Sequence, residues 1–375
     1  MSAARPRALA GHPANFGLNS IEPKKPSQRE KPMFVRNAWY VGAWDDELGD
    51  KPLARRICSE PIVLFRDAEK RAWALQDRCC HRAAPLHLGT VVEQGIQCGY
   101  HGLIIDGTGR CVHVPGQVKI PDSAQVRSYP VVEKDRFVWV WLGDPAKADP
   151  AKILDFPWNN SWPSQHDIIP IRGNYMLMVD NLMDLTHLGY LHARTIGGNP
   201  QTHVDAEMKT TRTSTGLKFV RHMLGSLPPP TYVKAAGFNG RIDRGQEFEF
   251  VAPNNVLQWT GAAEAGAGAE AAKRDGAFQF RLFHGLTPET ESSCLYFWSI
   301  ANGYRRDEPE VMAQLFRDIQ LTFDEDKTMV EAQQARLDEF GENGLTDIHS
   351  DAARMYMRRT VERMIAEESP SLAAE

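Results

Sequence analysis

The chain has 375 residues, 42% hydrophobic and 24% charged, with a formal net charge of -5 at pH 7. That length holds two domains with separate cores, and the mild acidity argues against nucleic acid or an anionic membrane surface as partner. With no apolar run of about 18 residues and no signal-peptide core in the first thirty, the sequence predicts no membrane association and a cytoplasmic protein.

Residues 1–33 are rich in Pro, Arg, Lys, Ser and Asn, and predict an arm, mobile or strapped over a neighbouring subunit. From Phe34 the pattern turns strand-like, with runs at residues 38–41, 55–57, 62–65, 72–75 and 137–141 separated by Gly, Pro and Asp turns. A small β-sandwich or barrel is expected over residues 34–150. Inside it lie Cys79-Cys80-His81 and Cys98-Gly99-Tyr100-His101, each offering one thiolate and one imidazole. Zinc takes Cys2His2 sets, and so does a Rieske [2Fe-2S] cluster, with two Cys on one iron and two His on the other. A zinc finger usually brings a Cys pair and then a His pair, so one of each per loop favours the cluster over structural zinc, and the absence of a secretory signal weakens the other alternative, a buried disulfide between Cys79 and Cys98. Pro85, Gly89, Gly99, Gly102, Gly107 and Gly109 supply the loop residues that two such fingers need. Cys80 reads as a small finger residue, and Cys58, Cys111 and Cys294 as small core residues.

Four prolines between Gly143 and Pro163 mark a connector, placing a domain boundary near residue 150 and a second domain over 151–375. It opens with a helical stretch at 175–192, continues with strand-like runs at 246–251, 256–260, 278–284 and 294–300, and ends in a long amphipathic helix over 308–340. This order predicts an α+β architecture, an antiparallel sheet with helices packed over it. The Gly/Ala-rich residues 261–276 read as a flexible loop. Their GxGxxA spacing at Gly266, Gly268 and Ala271 has no βαβ surroundings to make a dinucleotide site.

On the helix expected at 175–192, Asn181, Asp184 and His187 recur at i, i+3 and i+6 and share one face. His192 is five residues beyond His187, about 140° around a straight helix, so Gly189 is the expected point of distortion that lets both rings reach one metal. Two imidazoles on an iron call for a third, anionic ligand. Asp326 falls on the apolar stripe of Leu315, Ile319, Phe323 and Val330, whereas Asp324 and Glu325 are expected to project toward Arg317, Lys327 or solvent. A buried acid must be paired or metal-bound, which selects Asp326, with an Arg ion pair as the competing use.

Taken together, these motifs resemble the terminal oxygenase component of the Rieske non-haem iron oxygenases over roughly residues 34–340. Residues 180–192 and 323–334 are most similar to the branch that includes vanillate and dicamba O-demethylases, toluenesulfonate methyl-monooxygenase and N-dealkylating relatives. The resemblance implies a Rieske domain beside a helix-grip catalytic domain in a head-to-tail homotrimer. It implies a [2Fe-2S] cluster on Cys79, His81, Cys98 and His101, a mononuclear iron on His187, His192 and Asp326, and catalytic roles for Asp184 and Asn181. Asp184 would bridge subunits: a cluster ligand, here His101, bonds the Asp, which bonds the iron ligand, here His187, of the next chain. Lacking flavin or nicotinamide motifs, the chain would draw electrons from a ferredoxin and an NAD(P)H-dependent reductase. With O2 it would hydroxylate or oxidatively dealkylate an aromatic substrate, O- or N-demethylation included. A ring-dihydroxylating dioxygenase, a non-catalytic Rieske electron-transfer protein and a zinc-bearing structural protein are the competing readings. Trp259, Phe280 and His284 are candidate substrate contacts.

Overall fold

The computed structural model describes residues 33–368, so the expected arm lies, but for Met33, outside the described residues. Short β-branched and aromatic runs form β1 (Trp39–Trp44), β2 (Leu53–Ile57), β3 (Glu60–Arg66), β4 (Ala72–Gln76), β5 (Thr90–Val92), β6 (Gly95–Gln97), β7 (Ile104–Ile105), β8 (Cys111–His113), β9 (Ser128–Tyr129), β10 (Val131–Lys134) and β11 (Phe137–Trp141). They pair into three small antiparallel sheets, ordered β1-β11-β10, β2-β3-β4-β9 and β5-β6-β7-β8. Between the last two sheets is a core of Val63, Phe65, Leu75, Leu86, Ile96 and Ile105 that also encloses Cys79, Cys98 and Cys111.

The second half contributes α1 (Trp158–Ser161), β12 (Ser164–Ile171), α2 (Tyr175–Leu182), α3 (Leu188–Leu191), α4 (Pro200–Val204), β13 (Glu207–Arg212), β14 (Gly216–Ser226), α5 (Pro230–Ala236), β15 (Ile242–Val251), β16 (Asn255–Glu264), β17 (Phe278–Thr290), β18 (Ser293–Asn302), α6 (Pro309–Phe340) and α7 (Ala352–Glu368). Its strands form one seven-stranded antiparallel sheet ordered β12-β18-β17-β16-β15-β14-β13. The α+β expectation therefore holds, with the long helix beginning one residue later than the sequence suggested.

Strand periodicity sends alternate residues to opposite faces of this sheet. On β17 and β18, Phe280, Leu282, Leu286, Tyr296, Trp298 and Ile300 join one core with Leu315, Ile319, Phe323 and Val330 of α6. Phe283, Phe297 and Ala301 face the other way and join Trp39, Trp44, Phe137 and Trp139 of the first small sheet. Both faces are covered, which is why β18 reads as a nearly continuous apolar run from Cys294 to Trp298 rather than an alternating one.

Residues 261–276 are not a flexible loop. Strand β16 runs through Glu264, and a 3-10 turn at Ala269–Lys273 buries Ala269, Ala271 and Ala272. The constraint comes from elsewhere in the chain: buried Asp243 accepts the N–H groups of Gly225, Gly266 and Gly268, each at 2.8 Å. Of the cysteines outside the fingers, Cys58, Cys111 and Cys294 are free thiols packed in the core. No helix among the described residues is long and apolar enough to cross a membrane.

Phe283 ties the small sheet to the large one, with ring centroids 4.3 Å from Phe137, 5.9 Å from Trp139 and 5.8 Å from Phe156. Phe283→Ala is expected to lose about 3–5 kcal/mol in chemical denaturation through lost burial and a residual cavity. A loss under about 1 kcal/mol would show that the two sheets do not depend on this contact.

Candidate functional site

The 175–192 stretch is not one helix. It stops at Leu182, and Asp184 starts a new turn by accepting the Thr186 N–H at 2.8 Å and the Thr186 hydroxyl at 2.7 Å. A side chain that bonds nearby backbone in this way competes with helix continuation. His187 closes that 3-10 turn, α3 follows, and His192 sits just past its end. The break thus lies before His187 and not at Gly189. Gly189 has a different job, since a Cβ there would lie 2.4 Å from Pro200 Cα and push α3 off α4.

The break brings His187, His192 and Asp326 together, with one donor atom of each within 4.8 Å of the others. His192 Nε2 lies 3.2 Å from His187 Nε2 and 3.0 Å from Asp326 Oδ1, and His187 Nε2 lies 3.6 Å from that oxygen. The far side of each ring fixes its tautomer. His187 Nδ1 is 2.6 Å from the Asp184 carbonyl, and His192 Nδ1 is 2.8 Å from Glu325 Oε2. Those oxygens can only accept, so each Nδ1 carries the proton and each Nε2 turns a lone pair inward. Two lone pairs and a carboxylate oxygen converging in a buried site repel one another unless a cation lies between them. Imidazole nitrogens 3.2 Å apart both fit within about 2.1 Å of a single ion.

Burial pulls His192 down, but the bonds and charges of Asp326 and Glu325 outweigh it and raise its pKa overall, so the pocket favours a positive charge, carried by a proton on the ring or by an ion beside it. The more weakly paired His187 is held below its ordinary value, first by burial. Asn181 donates from Nδ2 to Asp326 Oδ1 at 2.9 Å, while its own Oδ1 is buried without a partner. It therefore orients the carboxylate directly.

The two fingers share one backbone design. Cys79 N–H donates to the Ala84 carbonyl at 2.8 Å and Cys79 C=O accepts from Ala83 at 3.0 Å; Cys98 repeats the pattern with Leu103 at 2.7 Å and Gly102 at 2.9 Å. Each loop turns through a left-handed residue four places after its Cys, Ala83 at φ 56° and Gly102 at φ 72°. The two Cys are buried and the two His exposed. The His81 and His101 rings lie 4.6 Å apart, centroid to centroid. Burial raises the Cys79 thiol to about 11; the His81 backbone N–H opposes the rise and the neighbouring Cys98 thiol adds to it. Tetrahedral zinc would gather all four donors within about 4 Å of one another. Among the described residues, the one set of three or more such donors within 4.8 Å of one another is the His187 set. Thiols paired inside and imidazoles paired outside suit a cluster with two Cys on one iron and two His on the other.

Two expectations about side-chain placement, those for Glu325 and Trp259, need correction. Glu325 does not project toward Arg317, Lys327 or solvent, but bonds His192 and receives the Thr195 hydroxyl at 3.3 Å. Its signal was legible: Asp318, Thr322 and Glu325 recur at spacings of 4 and 3, a polar stripe flanking the apolar one. Within this chain, the link from Asp184 to His187 runs through the Asp184 carbonyl, while carboxylate Oδ2 lies 3.5 Å from Ser350 Oγ. Trp259 points away from His187, His192 and Asp326, donating to Gln279 Oε1 on the opposite face of the sheet at 3.0 Å. Phe280 and His284 do lie on the inner face. His284 bonds the Tyr296 hydroxyl at 2.6 Å and Gln258 Oε1 at 3.0 Å, and burial drives its pKa down to about 3. Arg221, which the sequence reading missed, donates at 3.3 Å to the carbonyl of Leu185, in the turn that carries His187.

Comparison with known proteins matches residues 38–130 to the Rieske [2Fe-2S] domain and residues 171–367 to the vanillate O-demethylase oxygenase C-terminal domain. The chain is 37% identical to the toluene-4-sulfonate monooxygenase system iron-sulfur subunit TsaM1 of Comamonas testosteroni, over 91% of this chain and 100% of that protein. It is also 37% identical to a vanillate O-demethylase oxygenase subunit of a Pseudomonas species, over 91% of this chain and 98% of that one. The fold superimposes on crystalline dicamba monooxygenase bound to 3,6-dichlorosalicylic acid with a TM-score of 0.84 at 35% identity, covering 89% of this chain and 98% of that one. A crystal of the same enzyme with non-heme iron and dicamba gives 0.73 at 33% identity, again over 89% and 98%.

If Glu325 sets the His192 tautomer, Glu325→Gln should weaken iron retention by about 10–100-fold, while Asp324→Asn should not. Iron measured per chain after graded chelation checks this. Equal retention in the two variants would remove Glu325 from the site.

Proposed function

The chain belongs to the Rieske [2Fe-2S] oxygenases that carry the vanillate O-demethylase oxygenase C-terminal domain, and from that premise we propose which residues work and how. Cys79, Cys98, His81 and His101 hold the cluster; His187, His192 and Asp326 hold a mononuclear iron. The chain is the oxygenase component that hydroxylates or oxidatively dealkylates an aromatic substrate with O2. The observation that carries this reading is the convergence of two inward Nε2 lone pairs and the Asp326 carboxylate in a chain that also presents paired Cys and His fingers.

When bound, the cluster supplies single electrons and the ferrous ion supplies the site of O2 chemistry. The residues do the rest. Glu325 and the Asp184 carbonyl hold the imidazoles in one tautomer and one orientation, and Asn181 steadies Asp326. Three protein ligands would leave the ion room for O2, and the buried apolar side chains Phe280 and Leu282 lie on the same sheet face, toward the helices. The exposed rings of His81 and His101 are the natural exit for charge.

The protomer's own iron ligands lie in its second half and its cluster ligands in its first. A head-to-tail homotrimer in which His101 of a neighbour reaches Asp184 would join the two sites. Asp184 lines a groove of about 960 Å³ with Thr186, His203, Arg221, Ser350 and Tyr356, and among the described residues its Oδ2 has only the 3.5 Å contact to Ser350. A cytoplasmic ferredoxin and an NAD(P)H-dependent reductase would deliver the electrons, in keeping with relatives that are oxygenase components of multicomponent systems.

The test is incubation with ferredoxin, reductase, NADH and a panel of methoxylated, N-alkylated and methyl-substituted aromatics, reading formaldehyde and product mass. A dealkylated or hydroxymethyl product is expected, and a cis-diol would move the protein to the ring-dihydroxylating class. Asp184→Asn should keep both metals yet slow product formation by at least about tenfold. Full turnover in that variant would refute the bridging role.

A further inference from the structure

The inner face of the large sheet carries a polar cluster that the metal site does not use. Antiparallel register sets Arg221 opposite Gln246, Gln246 opposite Thr260, and Arg244 opposite Met223, two places along. These side chains share the face toward the helices, where Arg221, Arg244, Gln246 and Thr260 are each at most 3% exposed. Tyr232 of α5 roofs the cluster: its hydroxyl lies 2.8 Å from Thr260 Oγ1 and accepts from Arg244 Nε at 3.0 Å, and the Arg244 guanidinium lies over its ring at 4.8 Å.

The two arginines are used differently. Arg221 spends its terminal nitrogens on the carbonyls of Leu185 at 3.3 Å and His203 at 2.6 Å, bracing the turn that carries His187. Arg244 uses Nε alone. Among the described residues, neither arginine has a carboxylate within the 4.0 Å of an ion pair, and the terminal nitrogens of Arg244 have no acceptor. Close by in the sheet register, Gln246 Oε1 is buried without a partner. Stacking on Tyr232 and one hydrogen bond satisfy one of the five N–H donors of a guanidinium. A buried cation without a counter-charge is costly, and a second cation on the same face adds to the cost. Each arginine lowers the pKa of buried His203, after burial itself, so the cluster is a region of positive potential.

We propose that Arg244 is a specificity-determining residue: its free guanidinium edge takes the oxyanion group, carboxylate or sulfonate, of the aromatic substrate whose other end faces the His187–His192–Asp326 site. A guanidinium presents parallel N–H donors that match two oxygens of either group. The polar cluster then anchors the end of the substrate away from the reacting carbon, and Arg221, through Leu185, couples that anchor to the metal-bearing turn. This assignment rests on the oxygenase reading above.

Equilibrium binding to the metal-loaded protein, by calorimetry without electron donors, separates the two claims. The probes are 4-methylbenzoate, 4-methylbenzenesulfonate and neutral 4-methylbenzamide. Wild type should bind at least one anion about tenfold or more tightly than the amide, and the preferred anion tells carboxylate from sulfonate. Arg244→Gln should bring the ratio close to one, and Arg244→Lys should retain part of it. Equal affinity for all three probes, failure of both anions to bind at millimolar concentration, or an unchanged ratio in Arg244→Gln would each overturn the assignment. The wild-type comparison stands even if the variants do not fold. Charge-selective binding without O2-dependent turnover of any aromatic would instead sink the oxygenase reading and leave the anion site standing.

Discussion

The proposed iron site depends on holding two imidazoles and a carboxylate in mutual repulsion. His187 Nε2 and His192 Nε2 face Asp326 Oδ1 because each ring's Nδ1 is committed elsewhere, to the Asp184 carbonyl and to Glu325, while Asn181 donates to that same carboxylate oxygen. Each of those bonds is ordinary. Together they fix both tautomers and build a site whose unfavourable self-interaction is relieved by a cation.

The scaffold makes that arrangement affordable by covering the large sheet on both faces. The face bearing Phe283 and Phe297 packs on the tryptophan-rich small sheet, and the opposite face packs on α6, the rigid element that delivers Asp326. Delivery from the other side is irregular. A helix, a capped 3-10 turn and a four-residue helix replace one continuous segment, so that residues five apart can point to one place. The Rieske fingers solve a similar problem with two copies of one loop, each closed by the same pair of backbone bonds.

How much of this the sequence disclosed depends on whether the information was local. The fingers are local, since a thiolate and an imidazole two or three residues apart allow few geometries, and Cys79, His81, Cys98 and His101 stood out at once. Asp326 was legible because a carboxylate on an apolar helical stripe is anomalous. The break at Asp184 was missed because its cause, a side chain capping the next turn, competes with helix periodicity on nearly equal terms. The apolar stripe alone misplaces Glu325, which lies on the polar stripe beside it. The order of residues 261–276 comes from Asp243 on a neighbouring strand, and the outward face of Trp259 follows from a strand register that periodicity alone left unfixed. Arg244 looked like any charged strand residue until its neighbours on the sheet were known.

The most direct measurement is iron and acid-labile sulfide per chain in wild type and in Asp326→Ala. Separate donor sets predict about three irons and two sulfides in wild type, falling to about two irons with sulfide unchanged when the carboxylate is removed. Loss of sulfide along with iron, or an iron content that does not change, would contradict two independent centres.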